Sequence, residues 1–244
     1  MKQAVRAVLP TSVLRPIQRL RYRKVAGKYR SLSTKDIFTK IYNEGAWGQS
    51  DDKGQAMYSG TGSHNDALVA PYIDAVRTFL KTYAAKPDVV DLGCGNFYLG
   101  SRLRDLCGRY TACDIVEPVI ASNKAAFADL DVDFRVVDMA RDALPAADVV
   151  FVRQVFQHLS NAEIGRALEQ IKEKYRVLVL TEHLPKGTFT PNIDKATGPD
   201  IRLGFNSGVV LTSAPFNLVP KETSLLCEVE ENGGIIRTLC YRLA

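Results

Sequence analysis

From residue 86 to residue 182, short apolar runs alternate with longer stretches of helical period. "PDVVDLG" (87–93) reads as a buried strand, and the segment 98–107 after it as a helix. "YTACD" (110–114) is a second strand and "PVIASNKAAFADL" (118–130) a second helix. "VDFRVVD" (132–138) and "DVVFVR" (148–153) are a third and a fourth strand. Ser160 with Glu163 makes a capping box before the helix "NAEIGRALEQIKEKY" (161–175), and "RVLVLTE" (176–182) is a fifth strand. Continuous apolar strands of this length between helices predict a parallel sheet covered on both faces. In the tail the pattern changes: "SLLCEVE" and "GIIRTLCYRL" flank "ENGG", the signal of an antiparallel hairpin. The fold predicted is doubly wound α/β, a mostly parallel sheet with an antiparallel edge.

A chain of 244 residues fits one such domain with additions better than two domains. Cys94, Cys107, Cys113, Cys227 and Cys240 form no CxxC pair and show no metal spacing, so free thiols in a reducing cytosol are expected. Charge is unevenly placed. Residues 1–40 carry eleven basic side chains against the single acid Asp36, which makes this arm +10 and the rest of the chain −5. No apolar stretch in the arm approaches the roughly 18–20 residues that span a bilayer. Arg6, Pro10, Arg15 and Pro16 also interrupt any secretory apolar region. Tyr22, Val25, Ala26 and Tyr29 recur at helical spacing among cations, the pattern of a surface helix on anionic lipid or of a solvated docking extension. The expected location is cytoplasmic, with residues 1–30 able to hold the protein at the inner face of a membrane.

The strand 87–93 ends in an unusual arrangement, Asp91 directly ahead of Gly93 and Gly95. A pyrophosphate would gain nothing from a carboxylate there, because two negative charges would face each other. Strict GxGxxG is also absent, which argues against a dinucleotide. Asp114 ends the second strand about 20 residues after the glycines, where an acid can take both hydroxyls of a ribose. Asp138 ends the third strand in "VVDMA". For both, the plainer role is to cap the next turn.

"DLGCGNF" resembles the first motif of class I S-adenosylmethionine-dependent methyltransferases, with Phe97 where many members have a third glycine. The resemblance implies a Rossmann-like, seven-stranded sheet and S-adenosylmethionine as methyl donor. It implies that Gly93 and Gly95 let the backbone approach the methionyl part, while Asp91 accepts from its cationic amino group. It further implies that Asp114 holds the ribose, that Asp138 accepts from the adenine amino group, and that Ile115 and Met139 sandwich the ring. Asn96, Phe97 and Arg153 complete the donor set it implies.

A narrower resemblance runs through "YNEGAWGQSDDKGQAMYSGTGSHND", "VFVRQVFQHLSNAEIGRAL" and "TPNIDKATGPDIRLGFNSGVVLTSAPFNL". These blocks are similar to bacterial methyltransferases of polysaccharide and surface-glycan biosynthesis. The resemblance implies a Ser/Gly-rich lid with Trp47, Tyr58, Ser59, Ser63 and His64 as contacts. With the charge-defined basic arm (1–40), the chain then divides into that arm, a lid with N-terminal helices (41–85) and a methyltransferase domain (86–244). Asn192 and Asp194 lie in a polar loop suited to bonding a sugar.

The three histidines, His64, His158 and His183, all fall in predicted loops at the carboxyl edge of the sheet, where open α/β folds bind ligands. A hydroxyl acceptor benefits from a general base. His158, after the fourth strand, is the leading candidate, and His183 beside Glu182 the alternative. No ligand spacing requires a metal. The activity expected is O-methylation of a sugar hydroxyl on a surface or lipid-linked glycan. Competing readings are a small-metabolite methyltransferase and a donor-binding protein without catalysis. An RNA methyltransferase would use the arm to track phosphates, but the arm has few aromatics and no Asn/Asp-Pro-Pro-Tyr stretch follows the fourth strand. No pattern in the chain sets an oligomeric state.

Overall fold

The structure, a computed structural model, describes residues 27–48, 60 and 65–243. The expected surface helix of the arm, which begins near residue 16, falls largely outside these. Among the described residues no helix is long and apolar enough to cross a membrane.

Two helices whose full span is described precede the sheet. In α1 (Thr34–Asn43), the Ser33 hydroxyl caps the amide of Asp36, and Ile37, Phe38 and Ile41 form the buried stripe. In α2 (Asp66–Leu80), Asn65 caps the amide of Ala67, and Val69, Tyr72, Ile73, Val76 and Leu80 recur at the helical period. The sheet then follows as β1 (Val89–Leu92), β2 (Tyr110–Asp114), β3 (Asp133–Val136), β4 (Val149–Arg153) and β5 (Val177–Pro185). Helix α3 (Glu117–Ala126) lies between β2 and β3, and α4 (Asn161–Lys174) between β4 and β5. The hairpin β6 (Glu222–Glu231) and β7 (Gly234–Arg242) closes the chain. The seven strands lie in the order β3-β2-β1-β4-β5-β7-β6. Strands β1 to β5 are parallel, and β7 runs antiparallel between β5 and β6. This is the doubly wound, mostly parallel sheet with an antiparallel edge that the patterning predicts.

Alternate residues of the strands feed two separate cores, as a period of two requires. Val90, Leu92, Val150, Val152, Leu178 and Leu180 face α1 and α4. Val89, Tyr110, Ala112, Phe151 and Val179 face α2. The predicted capping box forms: Ser160 accepts from the Glu163 amide, and Glu163 accepts from the Ser160 amide. Asn232 and Gly233 both have positive φ (47° and 78°), the backbone that a two-residue hairpin turn needs.

Two predicted elements change. The segment 98–107 is not one helix but two 3₁₀ turns, Gly100–Arg102 and Arg104–Leu106. Gly100 weakens a helix, and here the Phe97 ring packs where a Cβ on residue 100 would stand, 2.2 Å from Cε2. Strand β5 continues past residue 182, because β7 pairs with it as far as Pro185 opposite Gly234. His183 is therefore a strand residue paired with Ile236 and buried, not a loop residue.

Between β1 and β4 the strand order reverses, since β2 and β3 lie on one side of β1 and β4 and β5 on the other. Such a switch point leaves a crevice beyond the carboxyl ends of the two strands.

Candidate active site

The crevice begins at the glycine turn. Gly93 (φ 78°) and Gly95 (φ 54°) are in the left-handed region, and a Cβ at Gly93 would lie 2.4 Å from Val155 Cγ2. The amides of Gly93 and Cys94 donate to the Cys113 carbonyl at 2.8 and 2.9 Å, tying the turn to β2. Asp114, at the end of β2, accepts from the Gly95 amide (3.1 Å) and the Val116 amide (2.9 Å). Asp91 lies in β1, where the Tyr110 hydroxyl donates to it at 3.1 Å. Burial pushes the Asp91 carboxyl up to about 7, against the Tyr110 hydrogen bond, with the Asp114 charge adding to the rise. Burial likewise lifts Asp114 to about 6, although the amides of Val116, Gly95 and Ile115 favour its charged form.

Both carboxyls open onto a cavity of about 1060 Å³. Gly93, Gly95, Asn96, Ile115, Asp138 and Met139 line it as well. Asp138 also caps its own turn, accepting from the Ala140 amide at 2.9 Å. Arg153 reaches the wall from the end of β4, its guanidinium 4.8 Å from the centre of the Tyr72 ring. Phe97 does not line the cavity. Its ring turns into the core among Tyr110, Phe127 and Phe134, with centroids 5.4, 5.3 and 4.9 Å away. Its φ of 59° keeps the left-handed turn, while the side chain serves packing instead of a ligand.

His158, Trp47 and His183 line the same cavity. His158 closes a 3₁₀ turn after β4, and its ring lies 5.0 Å from the Trp47 ring. Burial, then the Lys195 ammonium and the Arg202 guanidinium, hold its imidazolium down at about 3, so the ring is neutral across the physiological range. His183 Nε2 lies 3.0 Å from the Glu231 carbonyl and Nδ1 3.7 Å from the Glu231 carboxylate.

Three residues expected here sit elsewhere. Glu182 lies beneath the cavity, where Oε1 accepts from the Phe156 amide at 3.2 Å. Asn192 is a loop clamp: its Nδ2 donates to the carbonyls of Val210 and Ala214 (2.8 and 2.9 Å), and its Oδ1 accepts from the Val210 amide. Asp194 accepts from the amides of Asn161 and Lys195, both at 2.8 Å, and stays out of the cleft. Tyr58, Ser59, Ser63 and His64 lie outside the described residues. Sequence reasoning missed Gln157, whose Oε1 accepts from the His183 amide at 3.3 Å beneath the same wall. It also missed Arg202, a buried guanidinium that donates to the carbonyls of Phe156, Gln157 and Leu159 and so shapes the loop carrying His158. The signal in the sequence was an arginine inside the apolar run "DIRLGF". Among the described residues no cluster of three or more His, Cys, Asp or Glu could hold a metal ion.

Residues 89–178 match the family model described as a methyltransferase domain. The chain carries a methyltransferase domain. No curated protein matches it. Among solved structures, magnesium protoporphyrin IX methyltransferase from Synechocystis, with S-adenosylmethionine bound, is 18% identical with a TM-score of 0.55, covering 86% of this chain and 97% of that one. The N-methyltransferase NodS from Bradyrhizobium japonicum, in complex with S-adenosylhomocysteine, is 13% identical with a TM-score of 0.57, covering 74% and 89%. The N-terminal domain of EvdMO1, solved with S-adenosylhomocysteine and also in the presence of D-fucose, is 14% identical with a TM-score of 0.55, covering 84% and 95%. At these identities the likeness is one of fold, and the fold of the methyltransferase domain is the Rossmann-like one of these enzymes.

Burial pushes Glu182 beneath the domain's cleft up to about 8, against the pull of Arg202 and of the amides of Gln157 and Phe156. Below the ordinary value of 4.5, both folded and unfolded chains hold this proton; between 4.5 and 8 only the folded chain does. Stability therefore falls as pH rises through that window. Glu182→Gln, which mimics the neutral acid, is expected to remove this slope and gain on the parent by on the order of 1 kcal/mol or more between pH 5 and pH 8. Urea denaturation at the two pH values checks it, and equal slopes in both proteins would refute it.

Proposed function

We propose that this methyltransferase takes S-adenosylmethionine as donor and methylates a hydroxyl of a sugar on a surface or lipid-linked glycan. The observation that carries the reading is one continuous cavity lined both by the acid-and-glycine turn and by the paired rings of Trp47 and His158. The donor fits the residues present. Gly93 and Gly95 line the cavity without side chains, and burial raises the Asp91 carboxyl to about 7, so that a cationic group on a ligand would draw it back to its charged form. In this reading Asp91 accepts from the donor's amino group, Asp114 from its ribose hydroxyls and Asp138 from its adenine amino group, with Ile115 and Met139 on the ring faces. Asn96 and Arg153 complete the methionyl end. That the EvdMO1 domain was solved in the presence of D-fucose supports a sugar acceptor, and the cation-rich arm supports work at an anionic membrane surface.

The donor, when bound, supplies an electrophilic methyl group on a sulfonium. The chain's part is to align the acceptor oxygen and receive its proton. His158 takes that proton: it is neutral, lines the cavity and follows the strand that ends beside the donor turn. A weakly basic imidazole suffices, because a hydroxyl oxygen forming a third bond becomes strongly acidic.

Supplying labelled donor with fractions of lipid-linked glycans, nucleic acids and metabolites tests the reading as a whole. Label is expected in the glycan fraction, and label confined to nucleic acid or to small metabolites would displace it.

At the donor end, Asp91→Ala and Asp114→Ala should each weaken donor binding. A lost charge-assisted hydrogen bond costs about 1.5–3 kcal/mol, roughly 10- to 150-fold. Calorimetry on the folded variants measures this, and unchanged affinity in Asp114→Ala would remove the ribose assignment.

His158→Ala is expected to leave donor affinity intact and lower turnover by about 10²–10⁴-fold. The parent should show no acidic limb near pH 6.5, because this imidazole protonates only near 3. His183→Ala in the same assay is the control. Near-normal turnover in His158→Ala would leave the reaction to positioning alone.

A further inference from the structure

The cavity is also lined by a carboxylate for which methyl transfer has no use. Asp200 lines the cavity, and its Oδ2, out of contact with solvent, has no hydrogen-bond partner among the described residues. Such an oxygen gives up its water without return until something donates to it. Beside it is Trp47, whose Nε1 donates to the carbonyl of the adjoining Pro199 at 3.4 Å. That indole is held in place by Tyr42, edge-on with ring centres 5.2 Å apart, and by Phe38 at 6.1 Å. The His158 ring touches the same indole at 5.0 Å. An aromatic face, a carboxylate in want of donors and the proton acceptor thus share one stretch of wall.

We infer that Trp47 and Asp200 form the subsite that grips the acceptor's sugar ring, the indole covering the ring's C–H face and the carboxylate accepting from two neighbouring ring hydroxyls. The inference rests on the methyl-transfer reading above and specifies the acceptor's chemistry within it. A sugar ring has one apolar face and a polar rim, and this wall offers the complement of each. A site built to take hydroxyl protons also rejects an analogue lacking them, since the carboxylate then stays unpaired. Acceptor choice follows: vicinal hydroxyls next to the methylated position are read by Asp200, and a deoxy sugar at that position is refused. An ammonium group would satisfy the same carboxylate, and the test separates the two.

Trp47 is the only tryptophan in the chain, so tryptophan emission reports on this wall alone. The full-length protein, saturated with S-adenosylhomocysteine, is titrated with methyl glycosides bearing vicinal hydroxyls, their deoxy analogues, and tetramethylammonium ion. At least one diol glycoside is expected to shift the Trp47 emission. Asp200→Asn should weaken that glycoside by about tenfold or more, with S-adenosylhomocysteine affinity unchanged by calorimetry. The matching deoxy glycoside should bind more weakly and respond little to Asp200→Asn. A panel in which no glycoside moves the emission, equal affinity in parent and Asp200→Asn, or an Asp200-dependent response to tetramethylammonium alone would each overturn the inference. A protein that binds no S-adenosylhomocysteine and transfers no label fails the methyl-transfer reading itself. Donor binding and label transfer with an indifferent Asp200 fail only the subsite.

Discussion

The working end of this molecule depends on how closely the turn after β1 approaches the residue that follows β4. Val155 stands where a side chain on residue 93 would be, and only a glycine with φ near 78° lets the two segments touch. From that contact the rest follows. The turn is near enough to β2 for two of its amides to share the Cys113 carbonyl, and Asp114 returns a hydrogen bond to Gly95. Three strand ends are thereby fixed against each other, and the crevice at the switch point has a floor that does not depend on a ligand.

Electrostatic cost is concentrated around that floor. Asp91, Asp114 and Glu182 are all pushed up by burial, to about 7, 6 and 8, while His158 is pushed down to about 3. The groups share a preference for neutrality and differ in what surrounds them. Asp91 and Asp114 open onto the cavity, where a cationic ligand can draw them back to the charged form. Glu182 has no such outlet and acts from below, holding the turn that carries His158 through the Phe156 amide. Perturbed groups gather at functional sites for the first reason and at their foundations for the second.

The parts legible in the sequence were those written as local pattern. Strand alternation, the Ser160–Glu163 box and the Asn232–Gly233 turn each depend on a few neighbouring residues, and each is present. Asp91, Gly93, Gly95 and Asp114 are legible as a group because the ends of β1 and β2 bring them to one edge; Asp138, expected to end the third strand, lies two residues beyond the end of β3 at Val136 yet lines the same cavity. Misreadings arose where a side chain is used across the fold. Phe97 keeps a glycine's backbone and spends its ring on the core; Asn192 and Asp194 look like ligand residues but satisfy loop amides and carbonyls. His183 reads as a loop residue because nothing within β5 says how far β7 will pair with it. Arg202 shows in the sequence only as a charge inside an apolar run, because the carbonyls that it bonds lie 43 to 46 residues away.

The two walls of the cleft are made of different material. His183 and Glu231 stand on β5 and β6, bound into a sheet that pairs without interruption along β5 from Val177 to Pro185. Trp47 and Asp200 stand on connecting segments after α1 and before the turn at Arg202–Phe205, which no strand constrains. Changes in those segments can reshape one wall without disturbing a single strand register or the donor turn. A lineage built on this scaffold is therefore free to exchange acceptors while keeping its donor, and divergence should accumulate around residues 44–48 and 199–201 faster than around 89–96 or at the buried Arg202.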